Sequence, residues 1–221
     1  MPFSLHRMGS VTVAALALLG MAAPLMSEPA PSSPFPGLEI IQTKDVDALY
    51  RRPGVNMAEY TTIRIGEPVV EFSKNWNPRN YGTYGVSAAQ VKQIRSDIAE
   101  LSKSIFTKIL RDGGYEVITH ATAGALDITP NIVNLYINAP DTRTASRTRT
   151  YVLDAGSMTL ALQINDAITG TLLAVALDQQ RASRFGPLQW ATSVSNRAEA
   201  SAIITGWAQQ LKRGLDASRA K

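Results

Sequence analysis

The chain has 221 residues, 45% of them apolar and 18% charged, with a formal net charge of +4 and no cysteine. That balance describes a globular chain able to bury a core, not a disordered one. It excludes disulfides, thiol nucleophiles and thiolate metal sites, and so mild a charge is not the dense basic patch of a nucleic-acid binder.

Residues 1–22 read as a secretory signal peptide. His6 and Arg7 precede the apolar run VTVAALALL at 11–19, and Gly20 and Ala22 supply small residues ahead of a cut after Ala22. Cuts after Ala23, which would set Pro24 at the scissile bond, or after Ser27 are the other options. The run is too short to span a bilayer comfortably; an uncleaved leader holding the chain at the membrane is the competing expectation. Leu18-Leu19-Gly20 looks like the start of a lipoprotein box, but Met21 stands where that motif needs Cys. A thioether cannot accept a diacylglycerol, so no lipid anchor is expected.

Residues 23–37, ending EPAPSSPFPG, form a Pro/Ser-rich linker, either a spacer or a disordered end left by processing. Residues 38–221 are expected to be a single α+β domain. Residues 38–50 are expected to dock on it as an edge segment. A strand is predicted over 61–72, interrupted at Gly66-Glu67-Pro68 by a bulge or an edge position, because Pro68 has no ladder donor. Residues 75–85 are a loop.

A long helix is predicted over 87–113. Ser87 and Gln90 fit a capping box, Val91, Ile94, Ile98, Leu101, Ile105 and Ile109 form one apolar stripe, and Gly113-Gly114 ends it. A short strand at 115–119 follows. Leu126, Ile128 and Ile132 lie in one period-two phase and Val133, Leu135 and Ile137 in the other, which predicts a β-bulge just after Pro130. Residues 139–148 form a polar loop. Residues 151–165 and 171–181 make a hairpin closed by DAITG at 166–170, with Met158, Leu160, Leu162 and Ile164 on one face. A last helix runs from Arg197 to Leu215, with Asn196 as N-cap partnered by Glu199 and Ala200, Ile204, Trp207, Ala208, Leu211 and Leu215 as its buried stripe. The expected architecture is α+β: a two-layer sandwich, with a mainly antiparallel sheet of four to five strands packed against two long helices.

Chemistry-bearing patterns are sparse. His120 is the sole histidine after the leader, so no His-pair metal site forms, and neither a metal nor a cofactor is expected. No G-x-S-x-G elbow and no phosphate-binding glycine loop is present. Paired carboxylates for glycoside cleavage could come from Asp127, Asp141, Asp154 and Asp178, though nothing singles out a pair. No catalytic residue is assigned.

Two stretches are candidate binding surfaces. Arg143, Arg147 and Arg149, with Asp154 nearby, could hold a phosphate, a carboxylate or an acidic partner by forked hydrogen bonds, or be a solvated loop with local Arg–Asp pairs. Gln189, Trp190 and Asn196 could be a polar rim beside an aromatic platform, or Trp190 could plug the sheet–helix junction. The segment from Trp76 to Tyr84 has the same two readings, with packing ahead.

The string YINAPDT at 136–142, RTRTY at 147–151, AGSM at 155–158, and QWA at 189–191 with Ser193 and NRAEA at 196–200 resemble the domain-of-unknown-function 3313 family over residues 54–216. The resemblance implies an envelope protein of a Gram-negative bacterium, brings no catalytic residue, and departs at Met21 from lipidated members. The expected function is that of a non-catalytic binding or assembly factor in the periplasm. Its partner would be another envelope protein or a glycan. A carboxylate-dependent hydrolase of envelope polymers and an oligomeric structural scaffold are the alternatives.

Overall fold

The computed structural model describes residues 33–80, 85–137, 151–152, 156–181, 189–190 and 193–220. Strands β1 (Glu39–Ile41) and β2 (Ala48–Arg51) come first, then a 3-10 turn at Met57–Glu59, β3 (Thr62–Ile65) and β4 (Val70–Phe72). Helix α1 (Ala88–Asp112) leads to β5 (Glu116–Ile118) and the long β6 (Ala125–Ile137). Then follow β7 (Tyr151–Val152), β8 (Gly156–Asp166), β9 (Leu172–Arg181), β10 (Gln189–Trp190) and helix α2 (Ser193–Arg219).

The expected sheet of four to five antiparallel strands is overturned. Eight strands form one mixed sheet in the order β1-β2-β9-β8-β6-β3-β5, with β4 also on β6, and β7 and β10 make a separate two-stranded sheet. The pairs β3–β5, β3–β6 and β4–β6 are parallel. The interrupted segment at 61–72 is thus two strands in line, both on β6. Parallel neighbours need a crossover, and α1 supplies the one from β3 and β4 to β5 and β6.

Nor do the two helices pack alike on the sheet, as the expected two-layer sandwich requires. Helix α1 packs on β3, β4, β5 and β6 and on α2, whereas α2 packs along α1 and against the 3-10 turn, reaching β9 through Trp207. The described residues lie in one compact unit, 33–221.

Local chemistry explains most boundaries. The capping box at the start of α1 is formed: Gln90 N–H donates to Ser87 Oγ at 3.3 Å and Ser87 N–H to Gln90 Oε1 at 2.8 Å. The deepest face of α1 is turned from the expected stripe. Ser102, Phe106 and Leu110 are buried, while Ile94, Ile98, Leu101, Ile105 and Ile109 flank the core half-buried. Helix α2 begins at Ser193 rather than at an Asn196 cap, so Asn196 lies inside it.

The bulge in β6 falls at Asn134, which has φ 53°, and the register with β8 shifts between Val133 and Tyr136. It sits later than expected and returns Leu135 to the buried face of Ile132. Across the bulge Gly156 has φ 138°, and a Cβ there would lie 2.0 Å from the Tyr136 carbonyl oxygen. Only glycine fits. Met158, Leu160, Leu162 and Ile164 of β8 are buried, as the alternation expects.

The C-terminal end of α2 is tied to the start of the sheet. Tyr115 Oη donates to Asp216 Oδ1 at 2.7 Å, and Arg219 lies over the Tyr115 ring at 4.2 Å and donates to the Tyr60 carbonyl at 3.1 Å. Burial, then the hydrogen bond to Asp216, push the Tyr115 phenol from 10.0 up to about 12. Lys212 and then Tyr115, by donating to it, hold the Asp216 carboxyl below its usual range. Between pH 10 and about 12 the unfolded chain has lost a phenolic proton that the folded one keeps, so stability falls as pH rises through that window. Tyr115→Phe is expected to make that alkaline fall shallower in urea unfolding. Equal slopes would remove Tyr115 as its source.

Candidate functional site

Among the described residues, the one buried carboxylate is on β9. Strand alternation turns Asp178 to the sheet face that carries Leu160, its cross-strand partner, and burial leaves it 4% exposed. A carboxylate there must be hydrogen-bonded. Its Oδ2 accepts from Trp207 Nε1 and Gln180 Nε2, each at 2.7 Å, and its Oδ1 accepts from Asp47 N–H at 3.3 Å. The Asp47 carboxylate in turn accepts the Gln179 N–H at 2.8 Å. Gln210 of α2 donates to the Asp45 carbonyl at 2.8 Å. The network therefore pins three things at one point: the end of β9, the β1–β2 connection and the middle of α2.

Beside it lies a cleft of about 390 Å³ lined by Gln180, Arg181, Glu199, Ala202, Ile203, Gly206, Trp207 and Gln210. The helix presents small and apolar groups to it at one-turn spacing, Ala202 then Gly206, while amides and charges stand at the rim. A Cβ added at Gly206 would meet nothing within 4 Å, so that stretch of helix backbone is open to approach. Trp207 itself is 2% exposed and spends its N–H on Asp178, which makes it a fixed wall rather than a stacking platform.

Of the expected site residues, Arg143, Arg147, Arg149 and Asp154 lie outside the described residues. Gln189 and Trp190 form β10, paired with Val152 and Tyr151 of β7. Asn196 is in the first turn of α2. The structure thus sets Gln189 and Trp190 on a small strand pair and Asn196 on the helix that walls the cleft one turn further on.

Of the carboxylates considered for hydrolysis, Asp127 is ion-paired with Arg64 and register places it on the opposite sheet face from Asp178, so these two do not converge. Asp141 and Asp154 lie outside the described residues. Among the described residues no group of three or more His, Asp or Glu is placed to hold a metal ion, and no helix is long and apolar enough to cross a membrane. The residues that sequence reasoning missed are Gln180, Arg181, Gly206 and Gln210. Their one available signal was Gly206, a glycine inside a strong helical pattern. Trp76 resolves to packing: it is buried, stacks on Phe72 at 4.0 Å and donates Nε1–H to the Ile137 carbonyl at 3.0 Å.

The model of the family described as Protein of unknown function (DUF3313) matches residues 33–211. No curated protein matches the chain. Among solved structures, the PelC dodecamer from Paraburkholderia phytofirmans is 11% identical, with 72% of this chain and 94% of that one covered and a TM-score of 0.36. A DUF4136 family protein from Bacteroides thetaiotaomicron is 10% identical, with 80% and 97% covered and a TM-score of 0.34. At such scores neither likeness supports a functional conclusion.

Proposed function

We propose that this chain, which belongs to the DUF3313 family, is a non-catalytic binding protein of the bacterial envelope whose ligand seats in the cleft between β9 and α2. The observation that carries it is the cleft itself: an open apolar floor at Ala202 and Gly206, polar rims at Gln180, Arg181 and Gln210, and a wall held rigid by Asp178. Concave, mostly apolar sites with a few placed polar groups are what binding requires. The Asp178 carboxylate already accepts three hydrogen bonds, so it acts as an anchor rather than as a proton carrier. Export rests on the basic residue, apolar run and small-residue exit of residues 1–22. Cell fractionation with N-terminal sequencing tests it, the expected new terminus being Ala23; an intact leader in the cytosol overturns it.

Gly206→Leu tests the cleft. The added side chain enters open space, and a helix gains about 0.8–1 kcal/mol when glycine is replaced by a good helix former. The variant should therefore melt no lower than the parent while filling the site. Labelled processed protein, titrated against washed peptidoglycan, outer-membrane vesicles and soluble periplasmic protein, should be retained saturably by one of them, at least tenfold less tightly as Gly206→Leu. Ile168→Ser, in the exposed turn between β8 and β9, should bind like the parent. Equal retention of parent and Gly206→Leu would reject the cleft.

A further inference from the structure

Among the described residues, the strand that borders this cleft is incompletely paired. β8 covers β9 as far as Arg181, but β2 covers only Ala174 to Leu177 on the other side. Asp178 to Arg181 therefore project past the end of β2. Hydrogen-bond direction fixes which groups face that gap. On the β2 side the Leu173 carbonyl accepts from Arg52 N–H at 2.8 Å, and the Gln179 N–H is taken by the Asp47 carboxylate. Odd-numbered residues thus point outward, and the two-residue period carries this to the Gln179 carbonyl and to the N–H and carbonyl of Arg181. Gln179, Gln180 and Arg181 are exposed.

We propose, building on the cleft as the binding site, that its ligand is an extended polypeptide segment that adds to the sheet beside Gln179–Arg181, in line with β2 and antiparallel to β9. A strand edge offers alternating donors and acceptors at the repeat of another peptide backbone, which a sugar chain does not match. A three-residue pairing is ordinary in this sheet, since β1, β4 and β5 are each that short. Charge sets the direction as well. The gap has exposed Asp45 and Asp47 at one end and Arg181 at the other, so the segment carries a cation at the first and an acid at the second. Side chains on its inner face fall over Ala202 and Gly206, where a helix without a Cβ leaves the room. Neither Gly206 nor Gly214 of α2 meets an internal contact that demands glycine, and of the two it is Gly206 that lines the cleft.

The experiment uses the full processed chain and a displayed library of random twelve-residue peptides. Peptides enriched on the parent and not on Gly206→Leu are synthesised with N-methyl groups on one or the other set of alternate amides. Strand addition expects one set to weaken binding tenfold or more and the other to leave it unchanged. It also expects slowed hydrogen exchange at the Arg181 amide. Arg181→Pro removes the outward N–H together with the rim guanidinium and leaves the β8 ladder intact, whereas Arg181→Ala removes the guanidinium alone; the proline variant should abolish binding of the same peptides and the alanine variant only weaken it. Binding indifferent to both methylation sets overturns the proposal. So does failure to enrich any peptide while an envelope fraction still distinguishes parent from Gly206→Leu, an outcome that leaves the binding cleft standing. Loss of both distinctions removes the two together.

Discussion

Asp178→Ala is expected to lower the free energy of unfolding by about 3–5 kcal/mol, because it removes a charged acceptor from a buried site and strands its donors. The Trp207 indole N–H is the worst placed of these: the residue is 2% exposed and cannot turn to water. The Asp47 N–H loses its acceptor too, and with it the β1–β2 connection loosens from β9. Gln180 is exposed and re-solvates at little cost. Asp178→Asn keeps one oxygen but turns an NH₂ toward existing donors, so it should cost less, about 1–3 kcal/mol. Urea unfolding followed by tryptophan fluorescence reads both, and a loss below about 1 kcal/mol for the alanine variant would show that the network does not hold β9 to α2.

Phe106→Ala is expected to cost about 3–5 kcal/mol by the same measurement, through lost apolar transfer and the cavity left behind. Phe106 is fully buried at the centre of the α1 face that meets the sheet and α2. Ile105→Ala, one position round the helix and only half-buried, should cost clearly less. A reversed ranking would mean that α1 is rotated about its axis, with the expected stripe facing the core after all.

That stripe shows why part of the fold was legible in the residues and part was not. The existence of α1, its capping box, the β8–β9 hairpin and the buried face of α2 all follow from local spacing, because they depend on neighbours in sequence. Which side of α1 goes deepest does not. Its isoleucines span a broad arc, and the choice of Phe106 and Leu110 is made by β3, β6 and α2 pressing on it. The strand count was missed for a related reason. β1, β2 and β4 have three or four residues each, too few to show a period, and they are placed by the strands they pair with, β2 on β9 and β4 on β6. β6, with 13 residues, is long enough to carry β3 and β4 in tandem on one edge.

The cleft was illegible for another reason. Gln180, Arg181 and Gln210 are ordinary surface residues until β9 outruns β2 and α2 crosses its end. The motif residues that attracted attention, the arginines of 143–149 and Trp190, stood out by composition. Composition says nothing of where a sheet stops being paired. Gly206, like Gly214 further along α2, broke a local rule, at a cost in helix stability that internal packing does not offset.

The placement of β2 against β9 also orders events in time. Arg52 finds its partner at Leu172, 120 residues further along the chain, so the first strand pair has no seat until nearly the whole polypeptide has been delivered. Closure of such distant ends is slow. A chain emerging amino end first from a ribosome would wait, its leading hairpin unattached, until β9 arrives, and would reach its finished sheet only when synthesis is almost done.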